Sequence, residues 1–461
     1  MTVHAITTAD SAGVLADLRR VFATGRTRAV EWRLDQLRGI ERFVGEREAD
    51  IAAALAEDLG RSSVEAWLGD IASTKGEAAY AQKHLKKWMR RRRESLPLAQ
   101  LPGRAWVQYD PLGVVLLIGP WNYPIYLSLA PLVAAVAAGN CAVIKPSELA
   151  PATSALLARL LPHYVDAEAV RVVEGAAAVT QELLAAGFDH VLFTGGTEVG
   201  KKIMAAAAPT LTPVTLELGG KSPVIVAADA DIDVAARRIA WVKLLNSGQT
   251  CIAPDYVLAD RRIADALVGK IVANFRDFRS EEADSGLRIV NQRQFDRLVS
   301  LISTTDGKVV AGGRSDGASL RIEPTLILDP SPTDPVMADE IFGPLLPVLR
   351  TESLDHAIDF VNGLPKPLAL YIFASRKLAG ELVDRIPSGG AVINHVAMHC
   401  LVSSLPFGGV GTSGMGAYHG RWGFETLSHR RAVLSKPAKP DPRLMYPPYS
   451  QRALNIMRRM F

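Results

Sequence analysis

Five short apolar runs recur between residues 113 and 220: GVVLLIG, CAVIKP, VRVVEG, HVLFTGG and VTLELGG. Helix-like segments such as ATSALLARLLPHY and TEVGKKIMAAAA separate them. A strand that is apolar on both faces needs helices over both. The alternation therefore predicts an α/β fold built on a parallel, doubly wound sheet. It resumes more loosely after residue 220, through PVIVA, DIDVAARRIAWVKLL, YVLAD, a helix over 262–278, LALYIFAS and AVINHV. This predicts a second α/β domain. The first hundred residues read as helices, with apolar positions three and four apart in LADLRRVFATG and IERFVGEREADIAAALAEDLG.

From Pro111 to Ile144 no residue is charged, long enough for a membrane span. Pro120, Asn122, Pro124, Pro131 and Asn140 interrupt it, so it reads as strand, turn, helix and strand in a buried core. The net charge of +4, from 52 bases and 48 acids, does not suggest a nucleic-acid partner, and the basic run KKWMRRRR reads as a solvated helix end. Three cysteines make no disulfide framework and fit a reducing, cytoplasmic setting. MTVHAITTADSAG carries no basic start followed by an apolar stretch, so no leader is expected there.

Four stretches could carry chemistry. HVLFTGGTEVG ends a strand on Thr194, Gly195 and Gly196 and opens a helix holding Gly200. That is either an anion-binding helix start or a plain turn. IKPSE places Lys145 and Glu148 beyond a strand end, as ligand contacts or as an ordinary helix start. LELGGKSP puts Glu217 before a double-glycine turn, as a general base or a solvated turn residue. NSGQTC places Cys251 behind five small or polar residues, whereas Cys141 and Cys400 sit beside apolar ones. A reactive thiol needs access and electropositive surroundings. HVAMHC offers His395, His399 and Cys400, but no second ligand cluster supports a metal site.

GPWNYP, KPSE, FTGGTEVG, LELGGKSP, NSGQTC, EIFGP and LPFGGVGTSG stand in that order, and together they resemble the aldehyde dehydrogenase superfamily over most of the chain. NSGQTCIAPDY, SGMGAYHG and FETLSHRR resemble its class 3 branch of fatty and aromatic aldehyde dehydrogenases. The resemblance implies a Rossmann-like cofactor domain over 1–89 and 113–219 and a catalytic domain over 220–426. It also implies a bridging β element over 90–112, joined by a strand and tail over 427–461. Cys251 would be the nucleophile, Asn122 an oxyanion donor and Glu217 the base that hydrolyses a thioester. Lys145, Glu148, Thr194, Gly195, Gly196, Gly200, Glu340, Phe342 and Phe407 would hold NAD, with NADP as the alternative. Tyr123, Trp241, Leu245, Thr250 and His419 would line the pocket for a medium- or long-chain aliphatic or aromatic aldehyde. A homodimer is implied, with no nucleic acid, no metal and no stable membrane anchor.

The chain departs from the pattern at Gly196, where the motif commonly has serine. It closes on IMRRMF, with no apolar span and no cysteine for prenylation, and a docked or disordered terminus is expected there. A CoA-acylating dehydrogenase would not need Glu217. A cofactor-free cysteine hydrolase would not need Lys145 or Glu340. A non-catalytic scaffold would not need the set of Cys251, Glu217 and Asn122.

Overall fold

A computed structural model describes residues 11–279 and 287–460. The opening of MTVHAITTADSAG and the last residue of IMRRMF lie outside them.

The five runs form five parallel strands: Val114–Ile118, Cys141–Lys145, Val170–Val172, His190–Thr194 and Val214–Glu217. The first two and the fourth are buried along their whole length, as strands covered on both faces must be. In space they run 170–172, 141–145, 114–118, 190–194, 214–217. The order reverses beside Val114–Ile118, leaving a crevice between its end and that of His190–Thr194.

The uncharged stretch resolves into two strands and the helix Tyr126–Ala138, all of whose residues are buried. Asn140, polar within that core, is satisfied: it donates to Leu427 O at 2.8 Å and accepts from the Gly113 N–H at 3.0 Å. Among the described residues no helix is long and apolar enough to cross a membrane.

A second, seven-stranded sheet is parallel apart from its edge strand Lys308–Ala311. Its centre holds Tyr256–Asp260 and Pro223–Val226, each fully buried. A third sheet joins Arg92–Glu94, Arg104–Pro111 and Ser428–Ser435, antiparallel.

One feature differs from the sequence expectation. Within the stretch read as the second domain, Gly414–Met415 returns to the first sheet and pairs Gly414 with Glu217. The helix Gly420–Thr426 then packs on Tyr126–Ala138, where a Cβ on Gly423 would lie 2.8 Å from Ala134 Cβ. After the proline-rich segment, Gln451–Met460 is helical.

Candidate active site

Glu217 is the last residue of its strand and is 3% exposed. Among the described residues neither carboxylate oxygen has a hydrogen-bond partner. Burial pushes its pKa well above the ordinary carboxylate range. The reading of Glu217 as a solvated turn residue is thereby corrected: it is buried at a strand end whose backbone pairs antiparallel with Gly414.

Cys251 follows the helix Ile232–Leu244 and a tight turn over Leu245–Gly248. Asn246 and Ser247 in that turn have φ of 49° and 55°, left-handed values that non-glycine residues rarely adopt. Gly248 follows at 73°, and a Cβ there would overlap the Gly343 carbonyl of the EIFGP loop. The close approach excludes a larger residue. Cys251 itself is half-buried, less open than its polar neighbours suggest. Its surroundings are not electropositive either. Burial pushes the thiol up, the Glu340 carboxylate pushes it further, and Glu217 adds to this. Cys141 and Cys400 are likewise pushed up by burial, to about 12.

Asn122 is 3% exposed and donates from Nδ2 to Gln249 O at 3.2 Å, which ties the GPWNYP loop to the Cys251 loop. Tyr123 Oη meets Thr250 Oγ1 at 2.8 Å. Trp241 packs edge-on to His395, and Leu245 ends the same helix one turn on. His419 is buried, stacks on Phe407 at 5.2 Å and bonds Tyr126 Oη through Nε2 at 3.0 Å. Burial lowers its pKa to about 3, so it stays neutral. Tyr123 and Thr250 thus form one contact, Trp241 and His395 a second, and His419 and Phe407 a third.

At the crevice, Lys145 is buried and donates to Glu148 at 2.6 Å. Desolvation is the largest single influence on the Glu148 carboxyl and pushes it up, but the Lys145 hydrogen bond, a backbone hydrogen bond and the Lys145 charge together outweigh it and the pKa falls. Thr194 Oγ1 is buried with no partner among the described residues. A Cβ on Gly196 would meet nothing within 4 Å, so the start of helix Thr197–Ala207 faces open space. A Cβ on Gly200 would lie 2.6 Å from Leu218, so this glycine serves close packing of the helix on the sheet. Glu340 lies against Gly219. Burial and then Asp255 raise its pKa to about 8. Phe342 has φ of 48° and meets Trp121 edge-on at 5.4 Å. An open helix start, an orphaned hydroxyl and a Lys–Glu pair beyond strand ends fit a dinucleotide. Among the described residues, no group of three or more His, Cys, Asp or Glu could hold a metal.

Sequence reasoning missed Arg61, Asp70, Asn246 and Gln249, which join the two loops. Only Asn246 left a local trace, because Asn-Ser-Gly favours left-handed turns.

The aldehyde dehydrogenase family matches residues 1–433 of the chain. "Aldehyde dehydrogenase family 3 member A2" of Rattus norvegicus is 47% identical over 440 residues, 94% of this chain and 90% of that protein. "Aldehyde dehydrogenase family 3 member H1" of Arabidopsis thaliana is 43% identical over 98% of this chain and 94% of its own length. A substrate-bound structure of Staphylococcus aureus AldH superposes with a TM-score of 0.94 at 38% identity, covering 98% of this chain and 100% of that one. An NAD-dependent aldehyde dehydrogenase from Sinorhizobium meliloti gives 0.86 at 28% identity, over 94% and 88% of the two chains. The chain belongs to the aldehyde dehydrogenase family and is an NAD(P)-dependent oxidoreductase acting on aldehydes.

Proposed function

We propose that this oxidation runs through a thioester on Cys251. The Cys251 thiol gives its proton to water and the thiolate attacks the aldehyde carbon. The resulting oxyanion takes hydrogen bonds from the Cys251 backbone N–H and Asn122 Nδ2, donors whose individual loss typically costs about 3–4 kcal/mol in the barrier. Bound NAD(P) supplies the hydride acceptor. Glu217, once it has released its own proton, takes one from water, the hydroxide attacks the thioester, and the carboxylic acid leaves as the thiolate re-forms. The observation that carries this reading is the Asn122 Nδ2 bond to Gln249 O, two residues from Cys251.

Lys145, Glu148, Thr194, Gly195, Gly196, Gly200, Glu340, Phe342 and Phe407 hold the cofactor in this reading. The Glu148 carboxylate, kept ionised by Lys145, favours NAD over NADP by repelling a 2′-phosphate. Tyr123, Trp241, Leu245, Thr250 and His419 form an aromatic and apolar pocket suited to medium- or long-chain aliphatic or aromatic aldehydes. The three free cysteines support a cytoplasmic setting. The open edges of the sheet formed by Arg92–Glu94, Arg104–Pro111 and Ser428–Ser435 support a homodimer.

Single-turnover formation of NADH in Cys251→Ser and Glu217→Gln tests the mechanism. Cys251→Ser should form none. Glu217→Gln should give one burst and stall as an acyl-enzyme. Steady turnover in either would discard the role assigned to that residue.

A further inference from the structure

Arg61 lies just past the helix Glu48–Leu59 and is 3% exposed. Its guanidinium donates to three separate segments. One bond goes to the Asp70 carboxylate and one to the Asn122 carbonyl. The third runs from Nε to Asn246 Oδ1 at 3.2 Å. Its central carbon also lies 4.3 Å from the Tyr123 ring centroid.

The partners are interlocked. Asp70, 0% exposed, accepts the Ile125 and Tyr126 backbone N–H groups at 3.0 and 2.8 Å, which fixes the far end of the GPWNYP loop. Asn246 Nδ2 donates to Asn122 O at 3.1 Å and to Gln249 O at 3.0 Å. The left-handed run Asn246–Gly248 persists only while its surroundings hold it. Asp70 belongs to a π-helical turn over Trp67–Ile71, a geometry that recurs at functional sites.

We propose that Arg61 is a positioning residue for catalysis: it holds the loop carrying Asn122 and the loop carrying Cys251 at one fixed separation. The proposal rests on the reading of Asn122 and Cys251 given above. A plain buried ion pair would need only Asp70. The other two bonds go to the Asn122 carbonyl and to the residue opening NSGQTC, one to each loop. Arginine suits this place because its planar fork donates in several directions at once. Lysine has three N–H donors but on one nitrogen, which cannot reach three acceptors met by three different nitrogens of the guanidinium.

Single-turnover NADH formation from benzaldehyde tests this in the full-length protein, with NADH affinity and melting temperature measured alongside. Four forms are compared: the parent, Arg61→Lys, Asn122→Ala and the double variant. Asn122→Ala should slow the step about 100-fold. Arg61→Lys should slow it about tenfold or more, with KM and NADH affinity within about threefold of the parent. In the Asn122→Ala background the same lysine should cost less than about twofold, because Arg61 acts through a donor already gone. Equal slowing in both backgrounds would overturn the proposal, as would a parental rate in Arg61→Lys beside a slow Asn122→Ala. A parental rate in Asn122→Ala would instead remove the oxyanion reading, and the proposal with it. Should Arg61→Lys not fold, Asn246→Ala removes the bridge from the other loop and leaves the Arg61–Asp70 pair intact. The same rates and the same lack of additivity are expected there, and their absence overturns the proposal.

Discussion

The Glu340 carboxylate rests directly on the Cα of Gly219, so closely that a methyl group at 219 would overlap Oε2. Two segments 121 residues apart in sequence therefore depend on the absence of one side chain. Gly219→Ala should displace Glu340 and lower kcat/KM for NAD by about tenfold or more, since small misplacements at a site are costly. Steady-state kinetics across NAD concentrations reads this directly. An unchanged value would show that the contact does not matter to cofactor use.

Glu340 titrates near 8 because burial, and then Asp255, favour its neutral form. Only the carboxylate is a full acceptor for ribose hydroxyls. NAD affinity should therefore strengthen as pH rises from 6.5 to 9. Glu340→Gln should flatten that dependence. Fluorescence titration at several pH values measures both.

The Cys251 thiol is raised by burial and by nearby carboxylates, with Glu340 ahead of Glu217. Without cofactor its thiolate fraction at pH 7 should fall below that of a free cysteine. Iodoacetamide labelling at Cys251 should accelerate across pH 7–10 without levelling off. Saturating NAD, whose nicotinamide ring is cationic, should speed labelling at pH 7.5. Peptide mapping separates Cys251 from Cys141 and Cys400.

Burial raises the Glu217 pKa, so the folded state keeps a proton that the unfolded chain releases above about pH 4.3. The stability this confers is fully present below that pH and is lost as pH climbs toward the raised folded value. Glutamine needs no such proton. Glu217→Gln should therefore melt above the parent at pH 8, with the gap shrinking toward pH 5. Calorimetric melting at the two pH values checks the sign.

Gly196 faces open space at the start of Thr197–Ala207. Gly196→Ser should fold normally and bind NAD severalfold more tightly, the gain of about one neutral hydrogen bond. Weaker binding would place the added hydroxyl in the cofactor's way.

Local chemistry made much of this protein legible in its sequence. Uninterrupted apolar runs located the parallel strands, because a strand covered on both faces must be apolar throughout. Their spacing placed Thr194, Lys145 and Glu217 at strand ends, which is a matter of chain position alone. The environment of those groups was decided elsewhere. Cys251 lies among carboxylates rather than cations because the EIFGP loop, some ninety residues on, folds against its turn. Glu217 pairs through its backbone with a strand from residue 414, and Arg61 finds Asn246 at a separation of 185 residues. Burial and ionisation depend on which segments meet, and no period or propensity within a short window encodes that.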